Sequence, residues 1–155
     1  MSSFDIFVAE AADAAEISAL LLSSGLQGWR PADDQGDENA DVLAARDADD
    51  RLVGCAVLLS LGNVGLLRSV AVAADLRGGG LGRSLAEALL DRPAARRLES
   101  VYLLTTTAAR FFDRLGFDRV DREDVDPVIQ ATHQYREECP STAVVMRRRG
   151  DSPAR

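Results

Sequence analysis

The stretch LLRSVAVAADLRGGGLGRSLAEALL (residues 66–90) reads as a strand, a glycine-rich turn and a helix, in that order. A valine-rich run stops at Asp75, and Arg77 leads into Gly78, Gly79 and Gly80. Leu81, Leu85, Ala88 and Leu89 then fall at i, i+4, i+7 and i+8, the spacing of one helical face. Glycines in such a turn let the backbone approach a ligand and adopt positive φ at little cost. The free N–H groups and positive dipole end of the following helix make an anion site, for which a phosphate-bearing cofactor is the natural occupant.

The spelling of the turn chooses among glycine-rich motifs. A P-loop needs Lys followed by Ser or Thr after its last glycine, and Gly82 is followed by Arg83 and Ser84. A dinucleotide fingerprint needs a third glycine where Arg83 stands, and no second βαβ half follows. What remains is Arg77-x-x-Gly80-x-Gly82 directly after Val70 and Val72, which resembles the pyrophosphate-binding motif of the GNAT superfamily of acyl-CoA-dependent N-acyltransferases. An ordinary left-handed turn closing a strand would explain the glycines alone. It does not explain strand, arginine, both glycines and helix together.

With 155 residues the chain fits one domain, expected over residues 1–149, and can bury a respectable core. A content of 46% hydrophobic and 28% charged residues is that of a soluble globular protein. No apolar run reaches bilayer length, and the N-terminus lacks the basic start and long apolar segment of a secretory signal. The expected address is cytoplasmic, with no membrane partner. A net charge of −7 argues against nucleic acid, despite the short basic run Arg147, Arg148 and Arg149. Cys55 and Cys139 make no disulfide framework, no Cys/His cluster has metal-ligand spacing, and no metal is expected. His133 is the only histidine, which excludes any mechanism built on a histidine pair.

Residues 4–9 alternate as a first strand, and Asp13 with Glu16 has the form of a capping box before the stripe Ile17, Leu20 and Leu21. Gly25 is the expected terminator. Residues 26–39, with the only Trp, Trp29, read as a loop or a short helix flanked by loops. Residues 42–46 and 52–61 form a hairpin around the Asp-rich turn 47–50, with Cys55 a small core residue, and 64–73 returns as the strand before the glycine turn. Pro93 closes the glycine-motif helix, 101–105 is a strand, and Thr106 or Thr107 caps a helix carrying Ala108, Phe111, Phe112 and Leu115. A strand begins at Phe117, a helical turn follows Pro127, 142–147 is a last strand, and the tail from about Gly150 is expected to be disordered.

Arg68 shares one face of a regular strand with Val64, Leu66, Val70 and Val72. A charge among aliphatic residues is costly without an anionic partner, so Arg68 marks either a site that wants negative charge or a surface position beyond a β-bulge near Ser69. GNAT proteins typically carry such a bulge here.

The run from Ala109 to Phe117 resembles the second GNAT signature, the helix beside the pantetheine arm, and the resemblance then covers most of the chain. It implies an α+β fold with a mostly antiparallel sheet of six to seven strands flanked by helices. Leu67-Arg68-Ser69, Leu104 through Thr107 and Cys139 through Ser141 are most similar to small arsenic-resistance-associated GNAT proteins and, more distantly, to the acetyltransferase domain of N-acetylglutamate synthase. The resemblance implies acetyl-CoA as co-substrate and an α-amino acid or analogue as the amine acceptor. Pyrophosphate would meet Arg77, Gly78, Gly79, Gly80, Leu81, Gly82, Arg83 and Ser84. Main-chain groups of Val70, Ala71 and Val72 would serve pantetheine and the oxyanion. Arg68 would clamp a carboxylate, with Thr105, Thr107 and Ser141 as further polar contacts. The tyrosine that many of these enzymes use as an acid is replaced by Phe112, and no general base is named; Glu10 and Glu16 read as solvated charges. Two readings stay open: an acyl-CoA-binding module without turnover, and a protein or peptide N-acetyltransferase. A homodimer is compatible with the family.

Overall fold

The computed structural model describes residues 4–25, 40–106, 108–131, 135 and 143–150, and for Ser69 the backbone alone. Trp29, Thr107, His133, Cys139, Ser141 and the tail beyond Gly150 lie outside the described residues.

Seven strands make one sheet among the described residues: β1 (Asp5–Val8), β2 (Ala40–Arg46), β3 (Leu52–Leu61), β4 (Val64–Val72), β5 (Ser100–Thr105), β6 (Asp118–Val120) and β7 (Val144–Arg149). Their order is β1-β2-β3-β4-β5-β7-β6, and every pairing is antiparallel except β4 with β5. The α-helices that accompany them among the described residues are α1 (Ala14–Ser23), α2 (Leu81–Leu90), α3 (Pro93–Arg96), α4 (Ala109–Asp113) and α5 (Pro127–Gln130). The mixed α+β class and the strand number agree with the sequence. No helix of the described residues is long and apolar enough to cross a membrane.

Both faces of the sheet are covered, which is why β3 reads as a nearly unbroken apolar run. Leu81, Leu85 and Leu89 of α2 and Phe112 of α4 pack on one face with Val53, Leu67 and Leu103. Leu85 and Leu89 are fully buried, each worth about 1.5–3 kcal/mol relative to exposure. Ile17, Leu20 and Leu21 of α1 and Ile129 of α5 pack on the other face with Cys55, Val57 and Leu66. Gly54 lets α2 lie close on β3, since a Cβ there would stand 2.7 Å from Leu85 Cδ1.

The β2–β3 turn is built by Asp47, whose carboxylate accepts from the N–H groups of Asp49 and Arg51 at 2.9 and 3.0 Å. Asp50 takes the left-handed conformation there, at φ 64°. The capping box lies three residues earlier than the sequence suggested. Asp13 accepts from the Glu10 N–H at 2.9 Å, while both Asp13 and Glu16 pair with Arg46. Arg46 outcompetes the helix N–H groups because it offers a forked, charged donor to two carboxylates at once.

Candidate active site

The site begins with a break in the alternation of β4. Cys55 stands opposite Ala71, but Val57 stands opposite Arg68, so Ser69 and Val70 together face Ala56. That is a β-bulge, and it flips the parity beyond it. Val64 and Leu66 share a face with Ala71, whereas Leu67 shares the other with Val70 and Val72. The regular grouping of Arg68 with Val70 and Val72 is therefore corrected: the extra residue moves both valines to the α2 face.

Beside the bulge the sheet opens. β4 and β5 pair only through Val64 with Ser100, Gly65 with Val101 and Leu66 with Tyr102. Beyond Leu66 the two strands part, while β5 continues to pair with β7 through Thr105 and Val144. A cleft of about 1130 Å³ fills the gap, with Arg68, Val70, Ala71 and Val72 on one wall and Leu103, Leu104 and Thr105 on the other. The glycine turn and the start of α2 edge it through Arg77, Gly78, Gly80, Leu81, Gly82 and Arg83.

The turn itself follows the sequence logic. Gly78 and Gly80 have φ of 85° and 92°, and Gly80 is the residue before α2 with no side chain capping the helix. The first helical bond runs from Ser84 N–H to Gly80 C=O at 3.0 Å. Leu81, Gly82 and Arg83 therefore have no intrahelical acceptor for their N–H groups, the usual state of a first turn. The Ser84 N–H is committed within the helix, and neither Ser84 nor Gly79 borders the cleft. A Cβ on Gly82 would stand 3.4 Å from Val72 Cγ2 and 3.7 Å from Phe111 Cζ, so the bare glycine keeps this corner open.

The cations are partly committed. Arg77 donates from Nε to the Val72 carbonyl at 3.1 Å and reaches Ser24 Oγ at 3.4 Å. Arg83 pairs with Glu87 at 3.1 Å on the exposed side of α2. Arg68 is half-buried in the wall, immediately before the bulge. Thr105 accepts at Oγ1 from the Ala108 N–H at 2.9 Å, so it, rather than Thr106, holds the entry to α4.

Phe111 and Phe112 both border the cleft. Phe112 is buried and edge-on to Phe111 and Phe117, at centroid distances of 4.9 and 5.8 Å. A ring held so firmly offers packing and no proton. Glu16 is tied to Arg46 at 2.9 Å, and this hydrogen bond holds its carboxyl below the usual carboxylate range. Cys55 is buried, and burial pushes its thiol up to about 12. Among the described residues no group of three or more His, Cys, Asp or Glu side chains could hold a metal ion.

Of the polar residues that border the cleft, Ser24 and Arg114 are given no role by the sequence. Ser24 was hidden as the last polar residue before a helix terminator. Arg114 falls three positions after Phe111, a spacing that would have flagged it once Phe111 was placed on the cleft.

The profile of the Acetyltransferase (GNAT) family matches residues 11–117. No curated protein matches the sequence. Among solved structures, a GNAT-family acetyltransferase from Staphylococcus aureus Mu50 superposes with a TM-score of 0.75 at 17% identity, over 95% of this chain and 99% of that one. N-acetylglutamate synthase from Neisseria gonorrhoeae, complexed with coenzyme A and N-acetyl-glutamate, superposes with a TM-score of 0.75 at 22% identity. The match covers 96% of this chain but only 35% of the synthase. The ribosomal-protein-S18-alanine N-acetyltransferase from Escherichia coli gives 0.70 at 18% identity, over 95% and 94% of the two chains. At these identities the likeness is one of fold.

Proposed function

Because the chain belongs to the acetyltransferase (GNAT) family, and is an N-acetyltransferase by that membership, we propose that it moves acetyl from acetyl-CoA to the amine of a small amino acid or analogue. The acceptor class on this reading is glutamate-like, extending to arsenic-containing antimetabolites. Residues 1–149 serve as one such domain, acting in the cytoplasm and without a metal.

The observation that carries the reading is Arg68, half-buried in the wall of the opened cleft. A guanidinium there can hold a carboxylate by two parallel hydrogen bonds and orient the α-amine toward the cleft. The uncapped first turn of α2 supports the coenzyme end: Leu81, Gly82 and Arg83 offer N–H groups to the pyrophosphate. Gly80 supplies the positive φ and Gly82 the room for close approach. Beyond Leu66 the edge of β4 is unpaired toward β5, so backbone groups along residues 70–72 are the ones to meet pantetheine amides and the oxyanion. Ala71 pairs with Cys55 of β3 and the Val72 carbonyl already accepts from Arg77, which leaves the Val72 N–H turned to the open edge for that task.

In the transfer a neutral amine attacks the thioester carbonyl, a C–N bond forms, and the C–S bond breaks on collapse. CoA leaves as thiolate and the ammonium proton passes to water. A thiolate needs no acid to leave, so Phe112 in place of a tyrosine is compatible with turnover. The same Phe112 motivates the second reading, a module that binds acyl-CoA without transfer.

The test is CoA release from acetyl-CoA across free amino acids, arsenic- and phosphorus-containing glutamate analogues, and peptides, with wild type beside Arg68→Ala. Turnover confined to acidic amino acids or their analogues, lost about 100-fold in Arg68→Ala, is the expected result, a bidentate charged contact being worth roughly 3 kcal/mol. Release with peptides alone would shift the reading to a protein N-acetyltransferase. Acetyl-CoA binding with no release would leave the binding module.

A further inference from the structure

A second cleft, of about 600 Å³, lies between the C-terminal half of α2, α3 and the turn after α4. Its floor is apolar, with Leu90, Ala95 and Leu115 buried against the core. Its rim is cationic in a chain whose net charge is −7. Glu87 and Asp91 border it, but each already has a partner, Arg83 at 3.1 Å and Arg96 at 3.2 Å. Arg114, Arg148 and Arg149 border it too, and none of them pairs with a carboxylate among the described residues.

Arg148 is positioned rather than merely present. Its side chain lies across the bare backbone of Gly116, where a Cβ would stand 3.4 Å from Nε and 3.8 Å from Cδ. A guanidinium held in place before binding loses less entropy when an anion arrives. Arg114 borders this cleft and the first one alike.

We propose that the second cleft binds a small organic anion, a carboxylate or phosphate carried on an apolar body, and that its occupancy weakens binding in the first cleft through Arg114. The volume falls in the range of small-molecule sites, the floor suits an apolar body, and the arginines suit a planar or tetrahedral anion. Arg114 cannot serve both clefts fully, so an anion that draws it into the second removes positive charge from the first. The coupling is reciprocal: coenzyme in the first cleft weakens the anion equally.

Phenyl phosphate and benzoate share one apolar body and differ in head-group charge. Each is titrated calorimetrically into wild type, Arg148→Gln and Arg77→Gln, the last altering a cation that borders the first cleft alone. At least one is expected to bind wild type, with affinity falling at least about tenfold in Arg148→Gln and unchanged in Arg77→Gln. Binding of neither, or a loss in Arg77→Gln with none in Arg148→Gln, overturns the site. These titrations decide the site even if acetyl-CoA does not bind. In a second arm, the bound anion is expected to raise the acetyl-CoA Kd about fivefold in wild type and not in Arg148→Gln. An unchanged Kd in wild type overturns the coupling. An equal rise in Arg148→Gln means competition within the first cleft, and overturns it as well.

Discussion

Arg77 turns back on Val72: its Nε donates to the Val72 carbonyl at 3.1 Å, tying the glycine turn to the last residue of β4. The residue that the motif presents as a cation for the cofactor is also a clasp between strand and turn.

Replacing Arg77 with Lys keeps the charge and removes the fork, and Arg77→Ala removes both. Both variants are expected to lose about 1–2 kcal/mol of stability, since a hydrogen bond to a charged donor is lost and the Val72 carbonyl is orphaned. If charge alone matters for the coenzyme, Lys restores acetyl-CoA affinity to near wild type. If the clasp matters, Lys behaves as Ala. Thermal unfolding and calorimetric acetyl-CoA titration separate the two.

The two glycines at the head of α2 should respond oppositely to alanine. Gly80, at φ 92°, is expected to cost about 1–2 kcal/mol in Gly80→Ala. Gly82 lies inside the helix, and its added Cβ meets Val72 and Phe111 at ordinary contact distance. Gly82→Ala should therefore gain up to about 1 kcal/mol from helix propensity while losing acetyl-CoA affinity about tenfold. A Gly82→Ala protein that binds as well as wild type would remove this corner from the coenzyme path.

Acid should reach the α1–β2 junction through Glu16. Its hydrogen bond to Arg46 lowers the folded-state pKa, so the contribution to stability is present above the unfolded value and lost as pH falls through the folded one. Glu16→Gln is expected to lower the neutral region of a Tm-against-pH curve slightly and to converge with wild type in acid, which flattens the acid limb. Side-chain exposure of 54% keeps the effect small.

Alkali should act through Cys55. Its thiol is pushed up to about 12 by burial, against about 9 when exposed, so the folded protein holds a proton the unfolded chain releases. Stability is expected to fall as pH rises from about 9 toward 12, and Cys55→Ala should remove that slope. In a Cys139→Ser background, a thiol reagent at pH 8 should label Cys55 only as fast as the chain unfolds.

The strands and the glycine turn were legible because they rest on local chemistry: alternation, turn residues and helix spacing. The bulge at Ser69 and Val70 was not readable from periodicity. With both sheet faces apolar, Val64, Leu66, Val70 and Val72 look like one regular stripe whichever way the parity falls. Only the family resemblance suggested a bulge there. Caps were misplaced where a side chain had a distant competitor: Asp13 is drawn to Arg46, 33 residues away. The tie from Arg77 to Val72 was invisible because its acceptor is a main-chain carbonyl, which every residue type supplies equally.

The three parallel rungs between β4 and β5 are the only hydrogen-bonded seam in the described sheet that joins its first four strands to its last three. The first four strands include hairpin pairings close in sequence, whereas the seam joins residues 36 positions apart, as in Leu66 with Tyr102. Contacts of that separation form late and open early, which makes this short seam a natural fault line in unfolding. A molecule lodged in the gap beyond it touches both halves and can bind only once they have met. Such a ligand slows unfolding far more than it speeds folding.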